Sequence, residues 1–455
     1  MRGLRLRVIA VLVPLLLTAL AAVADEESQE EGASPVKVVY DEGFRLDTAD
    51  GRFGLRLNAG IQLRFSFVDY DPAVRYNDSD YSNLYIRRAR LIFTGHAFDP
   101  KFTYFIHLQL EPSRAVNAHD LWLEYEFSDL VRLGAGRNKI AYGLEFLNSG
   151  AGLGMVERSV FSGETDIDAG PDDAPGPRYP GGGTERFALS WLADSGFATG
   201  GLVLYRSQGV QLRGQRGTAS TPTFEYQAGL WQGRSTTGLS NDGTSHLYAV
   251  RVGYHPWGFV DWRLVGDGES SGRLKLGLLA SAYANSGAGG GGFSERGLNF
   301  AAMLRYRGFS ADAEWGSELF DFDSRADDFE RAGWRTELGW FILPAKFELK
   351  ARYATIVRLE DPTFERAVAS GLGVAELADA DGWVAAVEAE ISEASIGCNY
   401  FLVAWHRNNL QFELSRLTRS FATDPDAVIE GVPSPIPASP DQVDYRVRAM
   451  VQLFF

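Results

Sequence analysis

The chain closes on Asp444-Tyr-Arg-Val-Arg-Ala-Met-Val-Gln-Leu-Phe-Phe455, in which Tyr445, Val447, Ala449, Val451, Leu453 and Phe455 share one face while Asp444, Arg446, Arg448 and Gln452 share the other. A tilted strand crosses the hydrocarbon layer in about 9–11 residues, with apolar side chains toward lipid and polar ones toward a lumen. The same alternation is strictest near the other end. Phe53, Leu55, Leu57, Ala59, Ile61, Leu63, Phe65 and Phe67 fall on one face, with Arg56, Asn58, Gln62, Arg64 and Ser66 on the other. A period of two residues held over such lengths predicts strands with one apolar and one wet face.

The N-terminus supplies an address. Arg2, Arg5 and Arg7 precede an apolar run from Val8 to Val23, and Ala22-Val23-Ala24 offers small residues for cleavage before Asp25, so residues 1–24 read as a signal peptide. The acidic stretch that follows, up to residue 52, reads as a solvated periplasmic stub, and 53–455 as the barrel. A single cysteine, Cys398, excludes an intramolecular disulfide. With 59 acidic against 44 basic residues the net charge is −15, which disfavours a nucleic-acid partner.

Further alternating runs cover 85–96, 102–110, 118–127, 130–140, 209–216, 223–232, 245–255, 273–284, 297–306, 309–317, 331–341, 347–357, 391–403, 409–417 and 443–455, which with the first strand makes sixteen. The expected fold is all-β: a transmembrane antiparallel β-barrel. Tight turns at Asp99-Pro100-Lys101, Ser128-Asp129, Arg307-Gly308, Pro344-Ala345-Lys346 and His406-Arg407-Asn408 fall on one side and the long connections on the other, as in barrels with periplasmic turns and extracellular loops. The stretch 256–272 is long for a periplasmic turn. Residues 141–208 are far longer than a hairpin loop. Within them 187–192 and 197–205 are candidate strands, which would raise the count to eighteen.

Several stretches resemble the phosphate-selective porins of the O and P type. They are Asp41-Glu42-Gly43-Phe44, Ile86-Arg87-Arg88-Ala89-Arg90-Leu91, Leu133-Gly134-Ala135-Gly136-Arg137-Asn138-Lys139 with Tyr142-Gly143-Leu144-Glu145, Glu157-Arg158-Ser159, Gly209-Val210-Gln211-Leu212-Arg213-Gly214 and Gly397-Cys398-Asn399-Tyr400-Phe401, with the C-terminal strand. The resemblance implies a sixteen-stranded, usually trimeric porin of a Gram-negative-type outer membrane, embedded in lipid, whose third extracellular loop folds inward. Residues 141–208 stand where that constriction loop belongs, and Glu145, Glu157, Arg158 and Arg178 are its candidate site residues.

Anion passage requires cations facing the lumen, because fixed charges act strongly across a narrow, low-dielectric passage. Only six of the 44 basic residues are lysine. Arginine suits phosphate through its planar, two-pronged donor. Parity puts Arg56, Arg64, Arg88, Arg90, Arg213, Arg251, Arg305, Arg335, Lys350, Arg352, Arg446 and Arg448 on inner faces, with Arg446 and Arg448 beside Arg56 and Arg64. Inward carboxylates, Glu124, Glu126, Asp312, Glu314, Glu337, Glu348 and Glu413, offer the competing reading that these cations are wall salt bridges. Between Glu145 and Asp173 alone the long loop carries seven acidic residues, Glu145, Glu157, Glu164, Asp166, Asp168, Asp172 and Asp173, and against them it offers Arg158, Arg178 and Arg186, which favours a general anion or mixed-solute channel as much as one for phosphate or polyphosphate. A catalytic reading fails for want of a serine placed with His96, His107 or His119, and no metal-ligand spacing or cofactor fingerprint occurs. The expectation is passive diffusion of small anions without a cofactor. The alternatives are a non-selective or cation-tolerant porin and an exported soluble β-sandwich adhesin.

Overall fold

The computed structural model describes residues 36–41, 43–69, 80–111, 116–162, 201–204, 206–232, 246–285, 293–322, 329–358, 374–379, 382–403, 408–422 and 442–455. The expected signal peptide, Arg178, and most of the candidate strands at 187–205 lie outside them. A short hairpin, β1 (Val36–Tyr40) and β2 (Phe44–Thr48), precedes the wall. The wall then runs through β3 (Phe53–Asp69), β4 (Tyr81–Ala97), β5 (Asp99–Gln109), β6 (Asn117–Ser128), β7 (Val131–Lys139), β8 (Arg206–Arg216), β9 (Thr223–Gln232) and β10 (His246–His255). It continues through β11 (Lys275–Asn285), β12 (Phe293–Tyr306), β13 (Phe309–Phe322), β14 (Phe329–Leu343) and β15 (Phe347–Arg358). After β16 (Val374–Asp379), which only extends the adjoining hairpin, come β17 (Gly382–Phe401), β18 (Asn409–Ala422) and β19 (Gln442–Phe454).

Each wall strand pairs antiparallel with the next, β15 pairs directly with β17, and β19 returns to β3 from Tyr445↔Asp69 to Phe454↔Gly60, closing a barrel of sixteen strands. Backbone hydrogen bonds of 2.8 and 2.9 Å between Ala59 and Phe455 finish the seam. Closure is what lipid demands, since an open edge there would leave backbone groups unpaired. The eighteen-strand alternative is excluded by β7 pairing directly with β8, from Arg132↔Arg213 to Lys139↔Arg206.

Polarity is inverted relative to a soluble domain. On β3 the apolar Ile61, Leu63 and Phe65 are exposed while Gln62, Arg64 and Ser66 are buried, Arg64 at 1% and Phe65 at 38%. A β-sandwich adhesin would do the opposite, burying its apolar face to fold. The outer face therefore meets lipid and the inner face a lumen.

Turn chemistry follows the sequence. Arg307 (φ 50°) and Gly308 (φ 83°) form a two-residue hairpin turn with both residues left-handed, which matches the twist of the flanking strands. The one departure at the N-terminus concerns the expected stub. From Val36 it folds into the hairpin, because the ladder of β19 on β3 stops at Phe454↔Gly60 and leaves the lower edge of β3 to be covered by β2, from Phe44↔Leu57 to Asp47↔Gly54. Arg56 consequently lies opposite Arg45 and bonds Asp41 at 3.0 Å, away from Arg446 and Arg448, which stand opposite Val68 and Ser66.

Two outcomes are expected on a denaturing gel. An unboiled sample should migrate differently from a boiled one, as a closed barrel resists the detergent. Gly95→Val should abolish that difference, because a side chain there runs into the Gly54 carbonyl of the paired strand. Identical mobility of the unmodified protein before and after boiling would contradict a closed barrel.

Candidate functional site

The connection between β7 and β8 is the third of the long ones, and its described part, 140–162 with 201–204, is almost wholly buried. It enters through Ile140, Ala141 and Tyr142, which pack with Leu204, Trp231, Leu247, Ala249 and Tyr283. A single helical turn, α1 (Leu144–Leu147), follows. Leu144 packs on Val260, Leu279, Ala301 and Met303, so the inner face of β11 and β12 is apolar where the loop lands. That burial explains the inward course: the outer face is taken by lipid, and only the lumen offers the loop's apolar residues shelter.

Both ends of α1 are satisfied by charge. At its start the N–H groups of Leu144 and Glu145 donate to the Glu314 carboxylate at 2.5 and 3.0 Å. At its end Lys139 Nζ donates to the carbonyls of Phe146 and Asn148 at 2.6 and 2.7 Å, and Arg158 donates to those of Glu145 and Asn148 at 3.3 and 3.1 Å. Anion at the N-terminus and cation at the C-terminus is the arrangement the peptide dipoles favour. Lys139, Arg158 and Arg206 also surround the Phe146 ring at 5.0 to 5.9 Å.

Farther along, the loop is pinned by a carboxylate. Glu157 receives Arg64 Nη1 at 2.8 Å, Arg87 Nε at 2.7 Å and Arg88 Nη2 at 2.5 Å, while Arg352 donates to its carbonyl at 2.7 Å. The wall answers with its own carboxylates: Glu413 accepts the Val156 N–H at 3.0 Å and Glu393 the Val160 N–H at 2.9 Å. Glu145 turns to Ser159 and Ser162, each hydroxyl at 2.6 Å, with Arg335 at 3.6 Å. Burial alone would raise the Glu157 carboxyl, but Arg87, Arg88 and Arg64 hold it well below the usual carboxylate range.

The remaining inward cations also have partners. Arg90 meets Glu111, Arg213 meets Glu124 at 2.6 Å, Arg251 approaches Glu225 at 3.4 Å, and Arg305 meets Asp312 at 2.6 Å. Arg335 bonds Glu314 at 2.8 Å, Lys350 lies 3.0 Å from Glu337, and Arg352 bonds Glu393. Arg448 lies 3.6 Å and Arg446 3.9 Å from Glu413. The charges are unevenly distributed. Among the described residues the side built by β3, β4 and β17 to β19, with Arg352 reaching over from β15, gathers Arg64, Arg87, Arg88, Arg352, Arg446 and Arg448 around Glu157, Glu393 and Glu413, with Asp444 of β19 buried on the same face, six cations against four anions. Around β13 to β15, with Arg352 turned away to Glu393, the balance reverses, with Asp312, Glu314, Glu318, Glu337 and Glu348 against Arg305, Arg331, Arg335 and Lys350.

Period-2 reading missed Arg87, which it puts on the lipid face. The register of β3 and β4 shifts between Gln62 and Leu63, and the extra residue in β4 brings Arg87 to Glu157. Two consecutive arginines in a strand were the available signal. Glu393 and the residues of the long 256–274 connection also escaped it.

A closed sixteen-stranded wall with a lipid-facing apolar exterior and a loop bound inside defines an outer-membrane porin. Residues 57–257 match the family model of the phosphate-selective porins O and P, which bears out the resemblance read from the sequence over that stretch. Among solved structures, the anion-selective porin from Comamonas acidovorans shares the fold, with a TM-score of 0.52 at 10% identity, over 88% of this chain and 100% of that one. The outer membrane channel DcaP of Acinetobacter baumannii matches at 11% identity, over 91% of this chain and 99% of that one, with a TM-score of 0.49. No curated protein matches the chain in sequence.

Glu157→Gln tests the pin. It leaves three guanidiniums without their buried counter-charge, a change that costs about 3–5 kcal/mol where a buried pair is broken. The expected result is higher single-channel conductance and a lower temperature for the gel shift. Because the folded carboxyl titrates below its unfolded value, its contribution is complete above about pH 4.3 and fades as the pH falls through the lower folded value. Conductance should thus hold steady from neutral to mildly acid solution and change only in stronger acid.

Proposed function

We propose that the protein is a homotrimeric outer-membrane porin, exported with residues 1–24 removed, that passes small anionic solutes by diffusion down their gradient. The observation that carries the anion preference is the six-to-four excess of cations around Glu157, Glu393, Glu413 and Asp444. It is a local property of a chain that is acidic overall. Charges within a Debye length of about 8–10 Å govern a permeating ion, so the local balance counts and the total does not. The lumen-side cations at 64, 88, 90, 213, 251, 305, 335, 350, 352, 446 and 448 take part as paired wall charges whose field is uneven, and residues 141–208 form the constriction.

Phosphate is not singled out among anions. Arg158, the described basic residue of the loop's candidate set, spends its donors on the carbonyls of α1. A second reading, a mixed-solute porin, is favoured by the adjoining acidic patch of Asp312, Glu314, Glu337 and Glu348.

Replacing Arg87 and Arg88 together by Gln brings the cluster to four cations against four anions while Arg64 still holds Glu157. The permeability ratio should shift toward cations on the order of a few-fold. An unchanged ratio in a barrel that still shows the gel shift would assign these arginines to holding the loop alone.

A further inference from the structure

Residues 256–274, between β10 and β11, lie on the side of the short turns, yet they reach into the lumen and meet the constriction loop. Ser149 N–H donates to the Arg263 carbonyl at 3.0 Å, and Val265 N–H donates to the Gly152 carbonyl at 2.9 Å. Asn148 Nδ2 bonds the Trp262 carbonyl. Val260 and Val265 are each 3% exposed, and Val260 packs with Leu144. Two segments that enter the barrel from opposite ends therefore share a short backbone ladder.

Trp262 fixes the depth of this turn. Its Nε1–H donates to Glu225 on β9 at 3.2 Å, and its ring lies under the Arg251 guanidinium of β10 at 4.2 Å. The base of the turn is tied separately. His255 Nδ1 accepts the Val260 N–H at 3.3 Å, and Asp267 accepts the N–H groups of Ser271 at 3.0 Å and Gly308 at 2.8 Å. A connection needed only to join two strands would require none of this. Gly152 is part of the fit: a β-carbon there would stand 2.8 Å from the Arg263 carbonyl oxygen and 2.7 Å from Leu264 Cδ2.

We propose that the turn 256–274 is the periplasmic half of the constriction, with Trp262 the positioning residue that sets how far it projects. The inference rests on the channel reading above. It assigns pore width on the periplasmic side to a segment that the loop alone does not control, and it predicts an effect confined to one side of the membrane.

The test is single-channel recording in planar bilayers with Trp262→Ala, Trp262→Phe and Gly152→Val, using graded poly(ethylene glycol)s added to one chamber at a time. Trp262→Ala and Gly152→Val should raise conductance about 1.5- to 2-fold, since current follows the open cross-section. Both should admit larger polymers from the periplasmic chamber while the extracellular cut-off stays as in the unmodified protein. Trp262→Phe keeps the stack on Arg251 without the bond to Glu225 and should fall between. Unchanged conductance and cut-offs in barrels that retain the gel shift would overturn the proposal, as would an equal rise in both cut-offs, which signals general loosening. Failure of all three variants to assemble would make the turn a folding element and overturn it too. An unmodified protein that carries no current would instead defeat the channel reading itself.

Discussion

A wall that faces lipid has one direction left for its charges, and the rest of this structure follows from where they go. Arg64, Arg331, Arg335, Arg446 and Arg448 are among the largest fully buried side chains of the protein. Several ionised groups packed into a lumen with little access to water are tolerable only if each finds a counter-charge or a hydrogen bond. The strands supply part of that pairing across their own ladders, as Arg305 with Asp312 and Arg213 with Glu124 show. The third loop supplies the rest. Its backbone N–H groups meet Glu314, Glu413 and Glu393, and its Glu157 meets three arginines.

The loop and the wall charges are therefore one arrangement and not two. Without the loop, Arg64, Arg87 and Arg88 would lose their shared carboxylate; without them, Glu157 would lose its cations and the loop would be held by its N–H bonds to Glu314, Glu393 and Glu413 and its apolar contacts with β11 and β12. This coupling bears on selectivity. Cations used to seat the loop still project a field, and the excess on the side of β3, β4 and β17 to β19 adjoins an acidic side at β13 to β15. A solute passing them meets a lateral field whose sign depends on which wall it follows.

Much of the fold was legible because period-2 alternation is set by backbone geometry and the polarity of lipid. All sixteen wall strands, the Arg307-Gly308 turn and the position of the third loop follow from it. Parity also put Arg64, Arg88, Arg352, Arg446 and Arg448 on the inner face. It failed where the pairing breaks its own rhythm. The bulge in β4 turned Arg87 inward, and the early end of the β19 ladder left an edge that drew β2 out of the supposed stub. The inward course of 256–274 was beyond pattern reading, since its contacts with Gly152 and Ser149 join segments more than a hundred residues apart. Alternation says which face a residue occupies; it cannot say which carboxylate it finds across a lumen.

The uneven charge of the lumen is the claim on which the functional account stands, and the reversal potential of single channels of the unmodified protein in a salt gradient reads it directly. A potential displaced toward the equilibrium potential of the anion is the predicted result. A potential displaced toward that of the cation would contradict the account, whatever the fate of the loop.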